Sequence, residues 1–560
     1  MRIGWQAANL RPGGCFLTGK RVESGRNGVL ALLDYVLKNG TVIDGTGRAG
    51  FRADVAVRDG TIAGIGQFDA AQARVCVDAA GKAVTPGFID IHRHADAAAF
   101  RPGFGRAELR QGLTTIVNGN CGLSVAPCGE AYRTQILHYL DPVTGALPEV
   151  VGAQSMGEYL TALEKQPLPL NLGMLVGGGT LRASVAGFGS AVLTPEAMKT
   201  LHLRLEQALS DGALGVSLGL GYAPECFYTT DELIEALRPL AGSDVVVTVH
   251  MRQEGDRVVE SLREMLHVAE TLRVPLEVSH LKSIGKRNWG RCTPEMLRLL
   301  AEAREAGLDA ACDMYPYTRG STQLLHILPP ECQNAPLEQL SQNLLDPAYR
   351  AQVRRRMEHD SDFENISLLC GWENVYVTSA AKERNAWLLG MSVAQAASRA
   401  GRDPYELVFD LLADEGCTPS MIDAVASDDD LERVLACPFS SIISDSTYPD
   451  TGLLHPRVYG SFVRMIETYV NQKKLLPLEQ AVRKMTSLPA SRLRLTGKGV
   501  LQPGADADIC VFDPQALHER GTYTDPAREA AGMDYVFVGG RPAIARGEWT
   551  KERAGRVLRR

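Results

Sequence analysis

Apolar positions along this chain follow two different periods. From 34 to 86, short alternating stretches read "YVLKNGTVIDGTG", "ADVAVRDGTIAGIG" and "VCVDAAGKAVTPG". Glycines and the pairs Asn39-Gly40 and Asp59-Gly60 cut them, which predicts strands joined by tight turns. Near the other end, "GVLQPGADADICVFDP" and "YVFVGGRPAIARGEW" repeat that style. The stretches 33–87 and 498–548 are therefore expected to pair into one small β-sandwich. Between them, runs of Val, Ile and Leu alternate with helical stripes. Thr194 and Pro195 open one helix that Gly212 closes. "DVVVTVH" (244–250) leads into a helix over 256–272, with Val259, Leu262, Leu266 and Ala269 on one face. "VPLEVSH" (274–280) leads to an amphipathic run from Thr293 to Gly307, and "LDAACDMYPY" resumes as a strand.

Strands of this composition alternating with helices imply an α/β protein whose parallel sheet is buried on both faces. The span 88–497 has room for eight such units, so a (β/α)8 TIM-like barrel is predicted. A doubly wound open sheet fits the repeat as well. The rhythm breaks at about 323–380, in "ILPPECQNAPLEQ" and a charged helix, which is read as an insertion over one end of the barrel. Residues 1–32 carry little periodicity and are read as a loosely ordered, disordered-type N-terminal extension. The arginines of "KERAGRVLRR" (551–560) read as the core of a solvated basic tail over 549–560.

Length and composition narrow the classes. A chain of 560 residues exceeds one compact core, which suits a large domain with a smaller companion. Charged residues are 22% of the chain and the formal net charge is −7 without a basic stripe, so no nucleic-acid partner is expected. Twelve scattered cysteines without a CxxC pair favour a reducing compartment. No apolar run of about 18 residues occurs and the opening residues lack a signal-peptide core, so a cytoplasmic protein without a membrane partner is expected.

Chemistry gathers at strand ends. In "FIDIHRHAD" the alternation of a strand puts His92 and His94 on one side and Arg93 on the other. His250 ends "VVVTVH", His280 ends "LEVSH", Asp445 ends "SSIISD", and Cys121 follows "LTTIVNGN". Taken singly, each fits a structural role: a hydrogen-bonded histidine, an N-cap aspartate or a packed thiol. Together, four histidines, one aspartate and one cysteine closing separate strands point to a metal site. Zinc suits that ligand mix, and a Cys121 thiolate could be shared by two ions.

With these residues in view, the chain resembles the D-aminoacylase (N-acyl-D-amino-acid deacylase) family of the amidohydrolase superfamily. The likeness spans about 34–548 and rests on "GFIDIHRHAD", "NGNCGLSVAP", "GALGVSLGLGYAP", "HMRQEGDRV", "SHLKSIGKRNWG", "DMYPYTRGST", "SDSTYPDTGLLHPRVYGSF" and "GVLQPGADADICVFD". The resemblance implies hydrolysis of the amide between an acyl group and a D-amino acid, a small-molecule substrate. It implies that Cys121, His250 and His280 hold one tight Zn2+, and that His92, His94 and Asp445 form a second, weaker site. Asp445 would take a proton from water and pass it to the departing amine, and Tyr222 would polarise the scissile carbonyl. Lys282, Tyr315 and Ser321 match positions that grip the substrate's α-carboxylate. Arg457 in "HPRVYG" is a further candidate for holding an anion, while Arg252 equally suits a pairing with a nearby carboxylate.

Some positions depart from the family. Gly178 stands in "VGGGTLR" where a histidine is usual, Ala95 where an acidic residue is common, and "YAPECF" where a Pro-Gly turn is usual. Two other functions remain compatible: a cyclic-amide hydrolase of the dihydroorotase or hydantoinase kind, and a non-catalytic scaffold relative.

Overall fold

The computed structural model describes residues 32–560, so the extension expected at the N-terminus lies almost wholly outside the described residues. Strands from both ends of the chain form one nine-stranded sheet. Leu33–Val42, Phe51–Arg58, Thr61–Gly66, Ala73–Asp78 and Ala83–Pro86 come from the first stretch; Ile509–Phe512, Met533–Val538, Arg541–Ala545 and Glu548–Trp549 come from the last. The join is antiparallel, with Ile509 opposite Pro86. Val42, Val55, Val57, Val84, Ile509, Val511 and Phe537 pack there as a core of their own.

Asp59 and Gly60, both left-handed, form the two-residue turn between Phe51–Arg58 and Thr61–Gly66. Asn39-Gly40 does not make the turn its sequence predicts. It lies inside Leu33–Val42 at a register shift, a bulge in which Asn39 has φ 62° and its N–H donates to Asp54 Oδ1 at 2.9 Å.

The middle of the chain is α/β, with two all-parallel sheets. Phe88–Asp90, Leu113–Asn118 and Asn171–Met174 form one. Val176–Gly177, Gly215–Gly219, Val246–His250, Leu276–Val278, Ala310–Met314 and Ser440–Ile442 form the other, in chain order. Leu113–Asn118 and Val246–His250 are buried at every position, as strands covered on both faces must be. The ladders do not merge into one closed sheet. At one seam Leu175 alone separates Asn171–Met174 from Val176–Gly177. At the other, Asp445 N–H donates to His92 O at 2.9 Å and His94 N–H to Ser446 O at 3.0 Å.

Helices cover the outside. Pro195–Ser210 is capped by Thr194, whose hydroxyl accepts from Ala197 N–H. Val258–Leu272 buries Leu262, Leu266 and Ala269, whereas Val259 is only partly covered. No described helix is long and apolar enough to cross a membrane.

Two expectations are corrected. The interruption of the repeat is longer than 323–380. An antiparallel sheet of Arg319–Gln323, Ser420–Ala424 and Val375–Val377, together with helices including Pro347–His359, Val393–Ala400 and Pro404–Asp414, fills the interval between Met314 and Ser440. Helices Val393–Ala400 and Pro404–Asp414 carry ordinary caps at Ser392 and Asp403, so their local pattern is that of the regular units. The C-terminal residues are not a free tail. Arg556 O accepts from Leu172 N–H and Leu558 N–H donates to Leu172 O, at 3.0 and 2.8 Å. The sheet offers unpaired backbone groups at Leu172, and Leu558, 9% exposed, covers apolar surface while the arginines point outward to Asp506, Glu164 and Asp244.

Arg93 shows how the first of these strands is anchored. It faces away from His92 and His94, is fully buried, and donates to Asp90 at 3.2 Å, to Glu108 at 3.0 Å and to the Tyr448 hydroxyl. A buried guanidinium removed from its carboxylates leaves them unpaired, so Arg93→Met is expected to cost about 3–5 kcal/mol. A fall in the urea midpoint without a change in slope is the measurement that checks it.

Candidate metal centre and active-site pocket

Because all these strands run in parallel, their carboxyl ends open at one face, and His92, His94, Cys121, His250, His280 and Asp445 meet there. Three of the six reach the meeting point from left-handed backbone: Cys121 at φ 53°, His280 at φ 36° and Asp445 at φ 51°. Such conformations are costly for non-glycine residues and persist where the surroundings impose them.

The ligand-type atoms form two groups that share Cys121: His92, His94, Cys121 and Asp445, and Cys121, His250 and His280. His92 Nε2 lies 3.1 Å from Cys121 Sγ and 3.4 Å from Asp445 Oδ1, and His94 Nε2 lies 3.2 Å from the same oxygen. In the second group His280 Nε2 is 3.4 Å from Cys121 Sγ and 3.1 Å from His250 Nδ1. A tetrahedral zinc with bonds of about 2.0–2.3 Å spaces its ligand atoms by roughly 3.3–3.6 Å. Both groups therefore have the size and the donor chemistry for such an ion.

Burial sets the protonation. It holds His250 and His280 well below the ordinary histidine value, leaving neutral imidazoles with free lone pairs. It pushes the Cys121 thiol well above its usual value, so a thiolate there needs a cation beside it. Burial alone would also raise Asp445, yet the Arg457 guanidinium, with His94 and His92, keeps that carboxyl well below the usual range. Arg457 Nη1 donates to Asp445 Oδ2 at 2.8 Å and Nη2 to Ser321 O at 3.1 Å. Predicted as a holder of an outside anion, Arg457 is engaged by Asp445 and does not line the cavity. Arg252 is likewise taken, by Glu264.

A cavity of about 160 Å³ opens in front of the centre and is lined by Tyr222, Lys282, Tyr315 and Ser321. The Tyr222 ring packs 4.4 Å from that of His250 and 4.3 Å from that of His326, and burial keeps its hydroxyl protonated. Lys282 Nζ lies 2.9 Å from His280 Nδ1 and touches Glu254. Tyr315 lies under the Arg457 guanidinium, at 4.9 Å.

Several residues at this centre escaped the sequence reading. Glu254, 1% exposed, puts Oε1 3.0 Å from His280 Nδ1, the nitrogen turned away from Cys121. That is where a carboxylate orients a ligand imidazole. It stands four residues after His250 in "HMRQEGD", a visible but unused signal. Asp313 accepts from His280 N–H at 2.5 Å and lies 3.7 Å from His92 Nδ1. It too sits near the end of an apolar strand.

Two of the departures prove to be one. A Cβ on Gly178 would stand 2.3 Å from Glu225 Oε1, so the "YAPECF" glutamate fills the space that a side chain at 178 would need. Glu225 Oε2 accepts from Gly219 N–H at 2.7 Å and lies against Gly122, next to Cys121.

A family model described as "Amidohydrolase family" matches residues 448–544. A D-aminoacylase of Alcaligenes xylosoxydans xylosoxydans is 35% identical over 527 residues, 94% of this chain and 98% of that protein. An N-acyl-D-aspartate deacylase of the same organism is 32% identical over 531 residues, 94% of this chain and 95% of its own length. Among solved structures, the N-acyl-D-glutamate deacylase of Bordetella bronchiseptica, complexed with zinc and a phosphonate mimic of the tetrahedral intermediate, superposes with TM-score 0.79 at 31% identity. That match covers 94% of this chain and all of the other. On this identity, sustained along nearly the whole of both chains, the protein belongs to the D-aminoacylase (N-acyl-D-amino-acid deacylase) family of the amidohydrolases.

Proposed function

We propose that the chain is a zinc-dependent hydrolase that removes the acyl group from N-acyl-D-amino acids, releasing a carboxylate and the free D-amino acid. The observation that carries this reading is the convergence of six ligand-type side chains at the mouth of a cavity that Lys282 and Tyr315 also line. We read the two parallel sheets as one (β/α)8 barrel over 88–497, with its seams at Leu175 and beside Ser446, and the terminal sheet as a β-sandwich domain. Cys121, His250 and His280 would hold the tighter ion, and His92, His94 and Asp445 a weaker second, with Cys121 between them. When bound, zinc supplies Lewis-acid polarisation of a carbonyl and makes water acidic enough to ionise near neutral pH.

The side chains then divide the work. Asp445 is ionised and held through both oxygens, Oδ2 by Arg457 and Oδ1 by His94, so it is a fixed base for the proton of an attacking water. The same carboxyl passes that proton to the leaving nitrogen, which departs poorly as an anion. The Tyr222 hydroxyl, kept protonated, donates to the carbonyl oxygen as charge develops there. Lys282, Tyr315 and Ser321 hold the α-carboxylate, and Glu254 fixes the imidazole of His280.

Asp445→Asn is expected to keep its zinc and lose about 10²–10⁴-fold in kcat/KM on N-acetyl-D-amino acids. Metal analysis beside the turnover assay checks it, and undiminished turnover counts against the base. Cys121→Ala is expected to lose the tightly held zinc, and an unaltered metal content in that variant rules out the ligand assignment. Dialysis of the wild type against a chelator should abolish turnover and added zinc restore it. Hydantoins run in the same assay should stay intact.

A further inference from the structure

The cavity carries charge that the proposed hydrolysis does not use. Lys282 is matched by Glu254, and Arg457 by Asp445. Of the three further carboxylates that line the same cavity, Asp362 pairs with Arg356, which leaves Asp423 and Glu364. Neither forms an ion pair with a lysine, arginine or histidine among the described residues, although Glu364 lies within 4.8 Å of ligand-type atoms of Glu254 and His250.

Asp423 is the more informative. It sits on Ser420–Ala424 and is 3% exposed, yet beside its own backbone N–H the donor at its carboxylate is the Cys370 thiol, 3.9 Å from Oδ2. That thiol lies closer, at 3.3 Å, to Ala424 O. A Cβ on Gly320 would stand 3.3 Å from Asp423 Oδ1 and 3.3 Å from the Tyr315 hydroxyl, so the glycine keeps open the space between the carboxylate and a substrate-holding residue. Burial pushes Asp423 up to about 6 and, with Glu254 beside it, Glu364 up to about 8, and the nearby Lys282 offsets this only in part because it pairs with neither. Such a group is expensive to keep unless a cation arrives. Leu123, Ile284, Leu328, Phe363 and Ile366 supply an apolar wall beside these carboxyls. Apolar wall and anionic pole together suit a long methylene stem with a charged head.

We propose that Asp423, with Glu364, receives the cationic side chain of the substrate, so that the preferred substrates are N-acyl derivatives of D-arginine, D-lysine or D-ornithine. This rests on the deacylase reading given above.

The test compares N-acetyl-D-arginine with its neutral near-isostere N-acetyl-D-citrulline, alongside N-acetyl-D-glutamate, on the zinc-loaded full chain. A preference of about 10- to 100-fold in kcat/KM for arginine is expected, the range of one desolvated charge-assisted contact. Asp423→Asn should bring the arginine-to-citrulline ratio towards one, mostly through KM. Glu364→Gln, on a less buried residue, should lower the same ratio and serves if the first variant does not fold. Equal use of citrulline, faster use of glutamate, or a ratio that neither variant moves overturns the inference and leaves the deacylase reading standing. So does a preference for a cationic acyl group, read as N-(4-aminobutyryl)-D-leucine over N-pentanoyl-D-leucine. Failure to hydrolyse any N-acyl-D-amino acid overturns both.

Discussion

Four imidazoles, a thiol and a carboxylate face one another away from water, an arrangement that a positive ion among them stabilises. Most of what is distinctive here answers that constraint. The strands run in parallel so that their carboxyl ends share a face, and Cys121, His280 and Asp445 accept left-handed backbone to reach it. Around the donors stands a ring of compensating charge: Arg457 on Asp445, Glu254 on His280 and Lys282, and Asp313 between His280 and His92. Asp445 is thus held by Arg457, and the backbone of His280 by Asp313, independently of any ion or substrate.

The same geometry divides labour within single short segments. Asp90, His92, Arg93 and His94 lie within five residues of one another. Arg93 ties the segment outward to Glu108 and Tyr448, while the histidines beside it face the cavity. One stretch of chain carries both an anchor and two ligand-type atoms, which the period of a strand makes possible.

Legibility in the sequence followed locality. His92, His94, Cys121, His250, His280 and Asp445 each follow an apolar run, so their convergence could be read from where those runs stop. Glu254 and Asp313 gain meaning only from the imidazole each touches, and that contact spans 26 and 33 residues. Arg457 illustrates the reverse: its type suits an anion, but only the fold shows that the anion is Asp445. The antiparallel sheet containing Ser420–Ala424 escaped detection because its helices carry ordinary caps and its partner strand lies about a hundred residues away, at Arg319–Gln323. The basic C-terminus misled for a related reason. Its charges are exposed as expected, but Val557 and Leu558 between them find an unpaired strand edge at Leu172.

Gly178 and Glu225 carry a consequence for how this sequence can change. The glutamate occupies the volume that any side chain at 178 would claim, and it also supports the Gly122 turn behind Cys121. A side chain at 178 has no room until position 225 shrinks, and shrinking 225 by itself hollows out the support beneath the loop that carries Cys121. The two sites therefore vary as one unit: a larger residue at 178 calls for a smaller one at 225, and a change at either alone is poorly tolerated.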